Sequence, residues 1–568
     1  MTITSEMVLI LICTVFVLLM NAGLTIMEIG YTRAKNTADI ILKNLSVFAV
    51  SILVFYFLGF GIMYSGDGGF SGRIDIFSIG DYSSVFLDGI SKWAALIINA
   101  EICALIPVII AGVVSERVRL SVMVIISIVS AIIIYPIIGH WIFGNGWLSA
   151  NGFVDYGGAL ICITSGVGAV VAAKLVGPRL GKYTKDGLVK AIPADNINLA
   201  SVGLILGGAG FIGIEAAFAI LSSSDCDLGL IITNTVIAGM TAGLISMCDS
   251  YRRYKKIDIS LLLNAVLSGF AAVASGAGAI TPVGALFTGL IAGFIVTYLI
   301  EFLDKKAKLD DPTGFTTSFG ISAVLGCLLT GLFAEKDGLL YSGSASLLGV
   351  QIAGLFGIVI WVVLVFYVTI KITDVAAGLR VTENEEIAGL GNLKSDLGNE
   401  FVEFMPSLDK ANASEEESEL SGVARKDIPI DEAIPVKAIP VGAVPEGKDI
   451  ISKIDIICKQ SKFEELKDAM NSIGITGMTV TQVLGCGIQK GAKEYYRGVP
   501  LDIQLLPKVR IEIIVAKIPV EKVVNTARKT LYTGHIGDGK IFVSDIRDAI
   551  KVRTGETGYD AMQGLDII

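Results

Sequence analysis

Histidine is nearly absent: the chain has 2 in 568 residues, His140 and His535, which leaves no histidine cluster for a metal centre or a proton relay. Cysteine supplies no framework either. The 8 cysteines are scattered, mostly inside apolar runs (Cys13, Cys103, Cys162, Cys248, Cys327), with no CxxC spacing, which excludes a disulfide scaffold and structural zinc. Charge is scarce, at 17% of residues with a net of -9, and no basic tract or aromatic-studded basic stripe is present. Nucleic acid is therefore excluded as a partner. The first apolar run, Met7 to Met27, lacks the basic start of a cleaved signal peptide and reads as a retained span. No nucleophile beside a base and no acid–base pair stands out, so the chain does not read as an enzyme.

What fills the chain instead is apolar. Hydrophobic residues make up 53% of it, glycine occupies 64 positions, and the mean hydropathy is +0.70, a membrane composition. Charge is sparse up to about Ile370 and ordinary from about Thr382, so a membrane part precedes a soluble part. Stretches able to cross a bilayer core of about 30 Å recur at 7–29, 42–65, 93–115, 119–139, 156–176, 197–221, 228–249, 259–279, 282–302, 315–334 and 346–371, predicting eleven helices. Basic clusters at Arg33 to Lys43, Arg117 to Arg119, Arg179 to Lys190, Arg252 to Lys256 and Lys305 to Lys308 all follow odd-numbered spans. Loops after even-numbered spans carry mainly acids, such as Asp75, Asp81, Asp225 and Asp227. The positive-inside rule then predicts a cell-membrane protein with its N-terminus outside and its C-terminus in the cytoplasm.

Three domains follow: a membrane domain over 1–385, a cytoplasmic tail and linker over 386–449, and a soluble domain over 450–568. The linker is acidic at Glu415, Glu416, Glu417 and Glu419, then prolyl at Pro429, Pro435, Pro440 and Pro445, and cannot build a core. As a coil it reaches roughly 35–40 Å. In the soluble domain, strands at 451–458, 479–484, 508–515 and 540–543 alternate with helices at 462–472 and from Pro519 to about Leu531. The order β-α-β-β-α-β predicts a ferredoxin-like α/β sandwich. A polar insert at about 488–506 shows no pattern of its own.

Several long stretches carry a resemblance. NAGLTIMEIGYTRAKN from Asn21, LKNL from Leu42, SER at Ser115 to Arg117, YPIIGHWIFGNGWL from Tyr135, DYGG from Asp155, GPRLGKY from Gly177, DDPTG from Asp310 and GLRVTENEEIAGL from Gly378 resemble the ammonium-transporter (Amt/Rh) family. The resemblance implies an α-helical polytopic membrane fold of two inverted halves, assembled in membrane lipid as a homotrimer with one narrow ammonium pore per subunit. The pore positions depart from the family. Its two pore histidines correspond to Cys162 and Phe319, its outer gate phenylalanines to Ile102 and Ile214, and its recruiting tryptophan and serine to Phe143 and Phe218. Asp155 matches a structural aspartate of the family and reads as a helix-capping, site-organising residue, and His140 beside Trp141 reads as an interface residue. Glu101 and Glu215, next to the gate positions, either hold a cation or are protonated or polar-bonded structure.

From about Ile450 to Ala561 the chain resembles PII nitrogen-regulatory proteins, through GITGMTVTQVLGCGIQKG, YYRG, LLPKVRIEI, TGHIGDGKIFV and KVRTGE. That resemblance implies a trimer binding ATP or ADP between subunits, with 2-oxoglutarate on the Mg2+ of bound ATP. It assigns nucleotide binding to Thr479, Gly487, Gln489, Gly537, Gly539, Lys540, Lys551 and Arg553, 2-oxoglutarate to Gln489 and Lys508, and the metal contact to Gln489. Ile488 and Lys551 stand where the family has arginines, and Leu501 stands where bacterial relatives carry the uridylylated tyrosine. Arg497 matches the loop-tip arginine that plugs ammonium channels. The combined expectation is an ammonium sensor, or transceptor, coupling extracellular ammonium to ATP/ADP and 2-oxoglutarate status, with downstream nitrogen-regulation proteins as partners. The alternative is a conducting channel gated by its own tethered PII domain.

Overall fold

The computed structural model describes residues 4–66, 68–82, 85–86, 89–184, 187–222, 227–390, 451–459, 462–475, 477–486, 494–496, 499–501, 505–516, 518–532 and 538–562. The chain divides into two compact units, one helical and one α/β.

The helical unit contains α1 (Ser5–Tyr31), α2 (Ala34–Tyr64), α3 (Lys92–Val113), α4 (Leu120–Ala150), α5 (Gly158–Val176), α6 (Ile197–Ser222), α7 (Leu228–Tyr254), α8 (Ile259–Val273), α9 (Pro282–Lys305), α10 (Thr316–Phe333) and α11 (Ser346–Ala377). Among the described residues, 10 of these are long and apolar enough to cross a membrane, and α8, with 15 residues, is not. The span expected to run to 279 ends at Val273. Beyond it the chain turns on itself, Gly276 N–H bonding to Val273 O at 2.8 Å and Ile280 N–H to Gly276 O at 3.0 Å. Side-chain caps start many of the helices: Thr4, Ser91, Asp227, Asp258 and Thr281 each accept a backbone N–H of the first turn. α3 is the hub of the unit, since every residue from Ile98 to Val113 is buried.

Two helices share an unusual start. α5 and α10 both open with a widened π turn, over Gly158–Ile163 and Thr316–Ile321, a feature that recurs at functional sites. Each turn is capped by an aspartate: Asp155 accepts from Ala159 N (2.7 Å) and Leu160 N (3.2 Å), and Asp311 from Gly314 N (2.7 Å) and Thr316 N (2.8 Å). The two starts lie at opposite ends of α8. Near the beginning of α8, Asn264 accepts from Ser318 Oγ at 2.7 Å, while just past its end Ala274 O accepts from Tyr156 N at 3.2 Å. α5 and α10 then cross backbone to backbone at Gly166 and Gly320, where a Cβ on Gly320 would lie 2.8 Å from Gly166 Cα.

The α/β unit has a four-stranded antiparallel sheet of order β2-β5-β1-β6, built from β1 (Ile451–Lys459), β2 (Thr479–Cys486), β5 (Leu505–Val515) and β6 (Lys540–Ile546). This is the ferredoxin-like order expected of the α/β sequence pattern. Ile454 opposite Ile513, and Ile456 opposite Ile511, face Leu466 and Met470 of one helix (Phe463–Ser472) and Val523 and Ala527 of another (Val520–Leu531). The insert read as patternless contains a small two-stranded sheet of its own, β3 (Glu494–Tyr496) with β4 (Val499–Leu501). Strands of three residues are too short for a period-2 signal to register in sequence.

Candidate functional site

Residues drawn from α4, α6 and the start of α10 form an aromatic line. Phe143 and Phe218 stack with centroids 4.4 Å apart and rings 7° from parallel. Gly157, at φ +116, lies so close that a Cβ there would meet Ile214 Cγ2 at 2.6 Å and Phe218 Cδ2 at 3.5 Å. The loop carrying Asp155 is thereby seated on Ile214 and Phe218. Phe319 lies 5.9 Å from Phe211, 17° from parallel, and meets Phe315 edge-on at 5.4 Å. Phe211, Ile214 and Phe218 fall at i, i+3 and i+7, one face of α6. Sequence reasoning missed Phe211; that spacing from Ile214 and Phe218 was the available signal. Cys162 is buried in the π turn of α5, and Ile102 is buried on α3.

The acids divide. Glu215 is fully buried on α6, where Thr235 of α7 donates to its Oε2, and its Oε1 has no hydrogen-bond partner. Glu101 is buried on α3; its backbone O accepts from Asn21 Nδ2 of α1 at 3.5 Å, and its side-chain Oε2 has no partner. Cys162 lies within electrostatic range of both Asp155 and Glu215. Burial pushes the Asp155 carboxyl up to about 6 even with its amide donors. His140 has no place on the aromatic line. Its Nδ1 meets Met63 O at 2.8 Å and its Nε2 meets Gly68 O, and the neighbouring Trp141 Nε1 donates to Phe70 O at 2.8 Å, pinning the loop after α2.

A second concentration of charge lies at the other end of the helices. Glu116 pairs with Arg33 at 2.5 Å and with Arg179 at 3.5 Å, and Arg179 also binds Asp310. Burial pushes the Asp310 carboxyl up, but the guanidiniums of Arg179 and Arg117 outweigh it and hold the group far below the ordinary carboxylate range. Over this network runs the segment 378–390, including a short helix, Glu383–Ala388, closed by a Thr382–Glu385 capping box. Arg119 N–H bonds to Leu379 O (3.1 Å), Leu180 N–H to Glu386 Oε1 (2.7 Å), Lys35 Nζ to Ile387 O (2.8 Å) and Leu390 N–H to Asn36 Oδ1 (3.0 Å). Three interhelical loops are thus stitched to one strap.

In the α/β unit, Lys508 pairs in register with Lys459 and Lys540 with Ile457, so both stand at the end of β1, beside Gly539. Gly539, at φ +132, packs its Cα against Ile457 O, where no side chain fits. Thr479 lies further along the sheet, opposite Glu512, and Lys551 pairs with Glu556 at 3.0 Å in the segment that holds Arg553. Gly487, Gln489, Arg497 and Gly537 lie outside the described residues.

Comparison with known proteins completes the picture. Residues 8–397 match the Ammonium Transporter Family, and residues 451–556 match nitrogen regulatory protein P-II. The chain is 32% identical to ammonium transporter Amt2 of Archaeoglobus fulgidus over 403 residues, 67% of this chain and 85% of that one. With the ammonium transporter of Bacillus subtilis it shares 29% identity over 393 residues, 66% of this chain and 94% of the relative. Among solved structures it resembles a sensor Amt protein, with TM-score 0.65 and 30% identity, covering 69% of this chain and 98% of the other. Mep2 of Candida albicans, at TM-score 0.61 and 21% identity over 67% of this chain and 87% of its own, shares the fold.

Proposed function

Because this chain belongs to the ammonium transporter family and ends in a segment matching nitrogen regulatory protein P-II, we propose that it is an ammonium sensor. On this reading the helical unit holds ammonium from outside the cell, and the α/β unit in the cytoplasm weighs that state against ATP/ADP and 2-oxoglutarate. The observation that carries the reading is Phe319. Where the resemblance places a pore histidine, a phenylalanine is fully buried and stacked on Phe211. Benzene rings attract a cation but take no proton, so an ammonium ion drawn to the Phe143–Phe218 stack has no imidazole to deprotonate it. The likeness to a solved sensor Amt protein supports the same view.

The nucleotide would be held at Gly539, Lys540, Lys551 and Arg553, joined by Thr479, Gly487, Gln489 and Gly537, with Mg2+ at Gln489 and 2-oxoglutarate at Gln489 and Lys508. Lysines beside a tight glycine turn suit a polyphosphate. Homotrimers of both units would align one loop tip, Arg497, with each pore mouth. Tethering would hold the two at roughly millimolar effective concentration. The transporters among its relatives favour a second reading, a conducting channel gated by its own α/β unit.

Ammonium-induced current on a solid-supported membrane separates the two. The sensor reading expects silence from the full chain, and from a chain ending at Phe404, while ammonium still binds. Current from the shorter chain alone establishes the gated channel, and current from both ends the sensor reading.

A further inference from the structure

Glu215 stands four residues after Phe211 and three before Phe218 on α6, at the edge of the aromatic face, and its side chain meets the seam between α6 and α7, where Thr235 donates to it. The next residue back on α7, Asn234, is also fully buried. Its Nδ2 donates to Ala277 O and to Ile280 O, each at 2.8 Å, and its Oδ1 is left without a partner, as is Glu215 Oε1. Among the described residues, no lysine, arginine or histidine forms an ion pair with Glu215 or with Asp155, the other carboxylate within electrostatic range. Glu215 and the chain neighbour of Thr235, Asn234, thus each keep one buried acceptor oxygen without a donor, and the hydroxyl of Thr235 is the side-chain donor that Glu215 receives.

Such an arrangement is costly when empty. A buried carboxylate oxygen and a buried amide oxygen, both without donors, each forfeit a hydrogen bond that water would have made. A small cation that brings its own N–H groups supplies the kind of donor that each of these oxygens lacks. Sodium and potassium are poor fits, since they replace a hydration shell with a full cage of oxygens, whereas an ammonium ion needs one acceptor for each of four N–H bonds. We propose that the Glu215–Asn234 seam is an ammonium-holding site, set at the edge of the aromatic line where α6 meets α7. The cation rests there as a ligand, held at the Glu215 carboxyl beside the rings. This rests on the sensor reading, and it names the carboxylate that does the sensing.

The test uses the purified full-length protein titrated calorimetrically with ammonium chloride, with potassium chloride holding ionic strength constant. The wild type is expected to bind saturably, Glu215→Gln to weaken binding by about tenfold or more, and Phe218→Ala to retain a Glu215-dependent site. Equal binding by wild type and Glu215→Gln removes this site and leaves the sensor reading standing; no saturable binding by wild type removes both. Potency of potassium equal to that of ammonium overturns the assignment to ammonium. An infrared difference spectrum of the wild type, ammonium minus potassium, needs no variant. A shift in a carboxyl stretching band is expected, and a spectrum without one overturns the proposal even if Glu215→Gln fails to fold.

Discussion

Arg179 holds Asp310 through two side-chain hydrogen bonds, each of 2.9 Å, and a third from its own backbone N–H at 2.8 Å. The pair is buried and anchors the charged network beneath the strap. Removing one partner leaves the other charge without compensation, so Arg179→Ala should cost about 3–5 kcal/mol. Arg179→Lys should rescue little, because an ammonium group cannot span both carboxylate oxygens. Thermal unfolding in detergent measures both.

The same pair sets a pH dependence. The folded Asp310 carboxyl titrates far below its ordinary value of 3.8, so it contributes stability that is present above that value and lost as the pH falls beneath it. The apparent unfolding temperature of wild type should therefore drop progressively as the pH falls below about 4, while that of Asp310→Asn, lower throughout, should change less.

The Phe143–Phe218 stack should matter for affinity rather than folding. Phe143 is only half-buried, and truncating it to alanine removes one aromatic face. Ammonium binding by the full chain should weaken by about 1–2 kcal/mol, roughly five- to thirtyfold in calorimetry, if the rings attract the cation.

Gly166 and Gly320 should tolerate nothing larger. Gly166→Ala sets a methyl against the backbone of Gly320, where no flexible side chain can yield. The cost should be about 1–3 kcal/mol or more, seen as a loss of monodisperse protein on size exclusion.

In the α/β unit, Gly539→Ala forces a side chain into a backbone conformation at φ +132 and against Ile457 O. ATP affinity, read by calorimetry, should fall at least about tenfold, whereas Thr526→Ala on the exposed side of the helix Val520–Leu531 should leave it unchanged.

Much of this architecture was legible beforehand, and the reasons are local. Spans declare themselves by composition, and the sheet order follows from two helices set among alternating strands. Asp155 was readable as a cap because its partners are four and five residues away. What stayed hidden is non-local or quiet in composition. Arg179 and Asp310 are separated by 131 residues, and no period in the sequence links them. Thr235 is one of three threonines in α7, with Thr233 and Thr241, and nothing marks it as the partner of Glu215. The early end of α8 was missed because its turn, Ala274 to Ile280, carries no charge and no proline to mark a break, only small residues that also occur inside the spans. Four of the nucleotide, metal and loop-tip positions read from sequence, Gly487, Gln489, Arg497 and Gly537, lie outside the described residues.

Asp155 and Asp311 do the same mechanical job at opposite ends of α8, each holding the widened first turn of a crossing helix. The molecule thus carries its own control. One aspartate sits beside the aromatic line and its twin beside the charged network, so the damage done by losing the second calibrates what capping alone is worth. Whatever the first costs beyond that is what Asp155 does apart from capping.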